Sequence, residues 1–151
     1  MSPLSKNIIS FFCSLFKLHK NSENNVLEIN QDIILNVMDK LSNFENTHGF
    51  LNPISLHSLA KKLQTNPKYL SKIINIYYEK NFSSYINDLR IQYLLRELKT
   101  DNSLQTVTIK TLAKKLGFGS TEAFTKTFKK NTGFNPSTYL NNVNYTRNTK
   151  N

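Results

Sequence analysis

LAKKLGFGSTEAFTKTFKK, residues 112–130, reads as an amphipathic helix, the short turn Gly117–Gly119 and a second amphipathic helix. Its first five residues occur twice. Leu59-Ala60-Lys61-Lys62-Leu63 precedes Leu112-Ala113-Lys114-Lys115-Leu116 by 53 positions. Further on, Leu70-Ser71-Lys72 matches Phe124-Thr125-Lys126, and Tyr85 matches Tyr139, both at an offset of 54. The extra residue falls in the turn, where an insertion disturbs least.

Each copy is thus helix, turn, helix, with a small residue, Ala60 or Ala113, that lets the second helix cross the first closely. This is the helix-turn-helix pattern, whose second helix can lie in the major groove of DNA. One helical hairpin is explained by packing alone. Two matched hairpins with polar residues on the outer face of the second helix point to one task done twice.

The charge is distributed to match. The chain of 151 residues carries a formal +10. Residues 1–52 hold four lysines against five acidic residues, and residues 53–151 hold sixteen basic residues against five acidic ones. The positive field belongs to the part with the repeat, and a basic domain favours a polyanion, either duplex DNA or an anionic membrane. Cys13 is the only cysteine, which excludes an internal disulfide and fits a cytoplasmic, nucleoid-associated protein. No metal or cofactor is expected.

The predicted fold is all-α: two helix-turn-helix subdomains joined by a long central helix, with an additional N-terminal helical segment. Residues 1–29 give an apolar helix at Asn7–Leu18 and a polar linker. Its uncharged run, Ile8–Phe16, is shorter than the roughly 20 residues that span a membrane. It suits a docking helix, a partner-binding helix or the stump of a longer membrane segment. Residues 30–54 give a lead-in helix, Asn30–Glu45, with Ile34, Val37, Met38, Leu41 and Phe44 on one stripe, then a loop.

Residues 55–143 hold the two units: 55–81 the first, 82–100 the linking helix and 108–143 the second. Ser55, Asn66, Thr108 and Ser120 are expected N-caps, with Pro67 at the first position of its helix. The linking helix is expected to bury Tyr85, Ile86, Leu89, Tyr93, Leu94 and Leu98. Gly133 should end the second reading helix. Pro136 should start a last short helix reaching about Val143, with residues 144–151 a disordered tail.

From Ser55 to about Leu140 the chain resembles the DNA-binding domain of AraC/XylS-type transcription regulators. Ile109–Leu140, IKTLAKKLGFGSTEAFTKTFKKNTGFNPSTYL, carries most of the likeness. Ala113, Gly117-Phe118, Ser120, Phe124, Phe128-Lys129, Gly133, Pro136 and Tyr139 stand at the family's spacing. SYINDLR, Ser84–Arg90, matches the start of the joining helix. Two positions depart: Glu79 stands where the family often has Gly, implying a less sharply capped first reading helix, and Leu94 replaces a small residue. Phe44–Asn46 and Gly49–Leu56 resemble a bacterial subgroup whose larger members carry an N-terminal sensor, sometimes with a membrane segment.

The expected partner is double-stranded DNA, with RNA polymerase as a further candidate and no small-molecule effector domain evident. Two reading helices about 34 Å apart would serve adjacent major-groove segments. In the first unit Lys68, Ser71, Lys72 and Asn75 are the base-reading candidates, Lys72 toward guanine O6 or N7. In the second, the resemblance implies Thr121, Glu122, Thr125 and Lys126, with Glu122 suited to a cytosine amino group and Lys126 to a guanine. Asn66, Lys114, Lys115, Ser120, Lys129 and Lys130 are the phosphate candidates.

An enzyme is disfavoured. His19, His48 and His57 are scattered, and no paired carboxylates, glycine-rich phosphate loop or nucleophile elbow occur. A membrane-surface module working through residues 8–18 is the other rival, but only Lys17 and Lys20 flank that segment, which is weak for anionic lipid.

Overall fold

A side-chain oxygen opens each of the four helices of the repeat. Ser55 and Thr108 accept from the backbone N–H three residues on, Ser58 and Thr111, and Asn66 and Ser120 do the same for Tyr69 and Ala123. Each such cap is worth about 1 kcal/mol. Both first helices also end alike. The N–H of Thr65 reaches the Ala60 carbonyl and that of Gln64 the Lys61 carbonyl; Phe118 repeats the first bond to Ala113 and Gly117 the second to Lys114. This is the Schellman arrangement, with Gln64 and Gly117 in the left-handed region.

The computed structural model describes residues 31–100, 104 and 107–148; the apolar segment expected at 7–18 and residues 149–151 lie outside them. Among the described residues every regular element is a helix. The helices are α1 (Gln31–Asn46), α2 (Leu56–Lys62), α3 (Pro67–Tyr78), α4 (Phe82–Thr100), α5 (Ile109–Lys115), α6 (Thr121–Thr132) and α7 (Pro136–Asn148), with a 3-10 turn at Gly49–Leu51. The expected all-α fold with two matched units on a linking helix is the one observed.

Two buried clusters form the core. The first joins Ile34, Val37, Leu41 and Phe44 of α1 and Phe50 of the 3-10 turn to Leu59, Leu63, Leu70, Ile73 and Ile74, and ends with Tyr85 and Ile86. The second begins at Ile91, Leu94 and Leu98 and takes in Leu112, Leu116, Phe118, Phe124, Phe128 and Leu140. The lead-in segment therefore shares a core with the first unit. Lys40 of α1 reinforces this: its ammonium donates to the Leu63 carbonyl at 2.9 Å and to Gln64 Oε1 at 3.0 Å, serving the C-terminal end of α2.

Two expectations are corrected. The last helix was expected to stop near Val143 and leave a disordered tail from 144, yet α7 continues to Asn148. The stretch after Leu140 contains no Gly or Pro, so nothing in it breaks the helix. The linking helix also buries a broader arc than one stripe. Ile91 is fully buried and Asp88 and Arg90 nearly so, while Leu89 and Tyr93 are only partly covered. A helix with a core at each end must present different faces along its length.

Candidate nucleic-acid interface

The outer faces of α3 and α6 carry the expected reading residues. Lys68, Asn75, Glu122 and Lys126 are exposed, and Ser71, Lys72, Thr121 and Thr125 are half-buried. Their inner faces are fixed by Leu70, Ile73 and Ile74 in α3 and by Phe124 and Phe128 in α6. Phe118, Phe124 and Phe128 stack edge-on or tilted at centroid separations of 5.4 and 5.7 Å, inside the second core. They are packing groups, as their spacing suggests, and Tyr139 extends the series.

Lys114, Lys115, Lys129 and Lys130 are exposed around the second unit. The first unit differs at one of these positions. Lys61 and Lys62 are exposed counterparts of Lys114 and Lys115, but the Lys62 ammonium lies 5.9 Å from the Phe44 ring centroid, drawn toward α1.

Asn66 and Ser120 use their side-chain oxygens as helix caps, which leaves the Asn66 amide N–H groups as donors, while the Ser120 hydroxyl proton is given to Glu122. Glu122 sits in the first turn of α6. Its own backbone N–H, and then the Ser120 side chain, hold its carboxyl below the ordinary glutamate value. In this state the carboxylate is turned toward the helix N-terminus.

Glu79, which stands where the resembled family often has Gly, adopts the left-handed conformation itself (φ 54°, ψ 34°), the region that Gly133 occupies at the end of α6. Both reading helices thus end in a left-handed residue, and at Gly133 the cap N–H also bonds the Lys129 carbonyl.

Sequence patterning gave no sign of the polar groups that hold these helices in place. Asp88 on α4 accepts from the Asn131 side chain of α6 at 3.0 Å and pairs with Lys80 at 2.8 Å. Burial disfavours its charged form, but Asn131 and Lys80 outweigh that and hold its pKa below the usual aspartate value. Glu45 of α1 accepts from the hydroxyls of Tyr85 at 2.5 Å and Tyr78 at 3.2 Å. Burial, then neighbouring charge, pushes the pKa of both phenols well up. Arg90 is enclosed as well, and burial lowers its pKa. A charged residue off the apolar stripe looks the same in sequence whether it meets water or a partner.

Among the described residues no group of three or more His, Asp or Glu could hold a metal ion, and no helix is long and apolar enough to cross a membrane.

The likeness to known proteins follows these elements. A family profile described as a helix-turn-helix domain matches residues 59–142, more than half the chain. An uncharacterized HTH-type transcriptional regulator of Bacillus subtilis, YtdP, is 28% identical over 92 residues, covering 61% of this chain and 11% of YtdP. The uncharacterized transcriptional regulatory protein YesN of the same organism is 33% identical over 91 residues, covering 58% of this chain and 24% of YesN. The chain thus spans a quarter or less of the length of these relatives. The DNA-binding domain of AdpA, solved with a target DNA, shares the fold with a TM-score of 0.60 at 14% identity, over 74% of this chain and 95% of that one. A Chromobacterium violaceum regulator with an AraC-type DNA-binding domain does so with a TM-score of 0.57 at 17% identity, over 76% and 96%. The profile, the paired units and their spacing together place the chain in the AraC-type helix-turn-helix family, a family of transcription-regulator domains and not of enzymes.

Proposed function

We propose that this chain is a sequence-specific binder of double-stranded DNA that regulates transcription, reading two adjacent major-groove segments with α3 and α6. The observation that carries this reading is the equivalence of the two units: the same caps, the same turn bonds and the same polar outer face on the second helix. The AdpA domain, solved with its target DNA, shares this fold and supports the reading by likeness.

Lys68, Ser71, Lys72 and Asn75 read one half-site, and Thr121, Glu122, Thr125 and Lys126 the other. Glu122 leaves its helix end to meet a cytosine amino group. Asn66, Ser120, Lys114, Lys115, Lys129 and Lys130 hold phosphates, which supply affinity without sequence information. The site is an asymmetric bipartite sequence met by one monomer, and the setting is the cytoplasm.

Selection of bound sequences from a random duplex pool tests this. Lys72→Ala and Lys126→Ala are expected to flatten base preference, each in its own half-site, by about 1–3 kcal/mol of discrimination. Lys129→Ala with Lys130→Ala is expected to weaken every duplex alike and reduce the salt slope by about 2. Equal loss on all sequences from the first pair would overturn the base-reading assignment.

One observation favours a second, compatible reading. The relatives are four or more times longer than the matched region, which supports reading this chain as the DNA-binding end of a larger regulator, sensor-linked or membrane-tethered. RNA polymerase is then a partner of the assembled regulator, to be sought by co-purification on promoter DNA.

A further inference from the structure

The 3-10 turn Gly49–Leu51, in the lead-in segment, lies at the meeting point of both units. Arg90, 6% exposed at the middle of α4, donates from Nε to the Phe50 carbonyl at 2.8 Å and from Nη2 to the Asn52 carbonyl at 3.2 Å. Its guanidinium carbon lies 5.3 Å from the ring centroid of Phe118, in the turn of the second unit. The Leu51 carbonyl is pressed against the neighbouring residue so closely that a Cβ on Gly117 would stand 2.3 Å from its oxygen. The Leu51 side chain and Tyr93 both pack against the two buried clusters.

The second unit already docks along one side of α4 through Ile91, Leu94 and Leu98 and through the Asn131–Asp88 bond. The junction adds an off-axis contact: a segment rooted in the first core touches the turn that orients α6, and a planar guanidinium fixes that segment's direction. Guanidinium donors are held in a rigid fork, which an ammonium cannot reproduce. One base-pair step is about 3.4 Å of rise and a tenth of a helical turn. Small changes in the attitude of the second unit therefore bear directly on which half-site separation both helices can meet at once.

We propose that Arg90, Leu51 and Gly117 are positioning residues that set the half-site spacing the protein accepts, without touching DNA. This rests on the two-helix reading above and adds a specificity determinant to it. It also gives the lead-in segment a mechanical route to the second reading helix.

The test uses the full chain, its selected site and a series of duplexes in which the gap between half-sites is lengthened or shortened by one base pair. The wild type is expected to lose on the order of tenfold in affinity for either change, the size of one badly met base pair. Arg90→Lys and Leu51→Ala are expected to lose no more than about threefold across the series while selecting the same half-site sequences. If Arg90→Lys does not melt cooperatively, Leu51→Ala, which trims a partly exposed side chain, carries the test. Variants that keep the wild-type spacing dependence overturn the inference, as do variants that lose half-site preference in step with spacing. A wild-type pool containing no two-part site overturns the DNA reading itself, and this inference with it.

Discussion

Glu79 and Gly117 hold similar left-handed backbones for different reasons, and substitution should separate them. Glu79 ends α3 in a conformation that costs a residue with a Cβ on the order of 1 kcal/mol, and its acidic side chain lies at the negative end of the helix. Glu79→Gly is expected to stabilise the domain by about 1 kcal/mol, read as a raised urea midpoint with unchanged slope. Gly117→Ala adds the same backbone strain to a collision with the Leu51 carbonyl, so a loss above about 2 kcal/mol is expected. Asp88 offers a pH test. Its folded-state pKa is depressed, so its contribution is present above the ordinary aspartate pKa of about 3.9 and fades as pH falls through the lower folded value. Asp88→Asn should cost on the order of 1 kcal/mol at neutral pH, and the gap to wild type should close in acid. A gap that is constant from pH 7 to pH 3 would show that the charge plays no part.

Helix α4 decides how the two units are coupled, and it was the hardest element to read from sequence. Its ends were legible, since the expected span 82–100 and the observed Phe82–Thr100 coincide. Its faces were not. Tyr85 and Ile86 belong to one core, and Ile91, Leu94 and Leu98 to the other, so its apolar positions do not follow a single stripe. The short helices were legible because each depends on local chemistry: a Ser, Thr or Asn cap at the start and a left-handed residue at the close. Contacts between residues some 40 positions apart, such as Arg90 with Phe50 and Asp88 with Asn131, leave no periodic trace. The division of α4 has a measurable result. Phe128→Ala, at a fully buried site, should cost about 3–5 kcal/mol. Hydrogen exchange should show the loss mostly in α5–α7, with α1–α3 protected longer. Equal loss of protection in both units would mean that the cores open together.

The basic field and the two reading faces lie in the same part of the chain, and that was visible in the residues alone. The lead-in segment's integration was not, because Phe50 and Leu51 read as an ordinary loop until their burial and carbonyl contacts are known. The buried members of the first core all lie between Ile34 and Ile86, and those of the second between Ile91 and Leu140, with no interleaving. A ribosome making this chain therefore delivers every major piece of one core before the first piece of the other leaves the exit tunnel. The first half can settle during translation, and its finished surface, with Leu51 already in place, then serves as the template on which the second half docks.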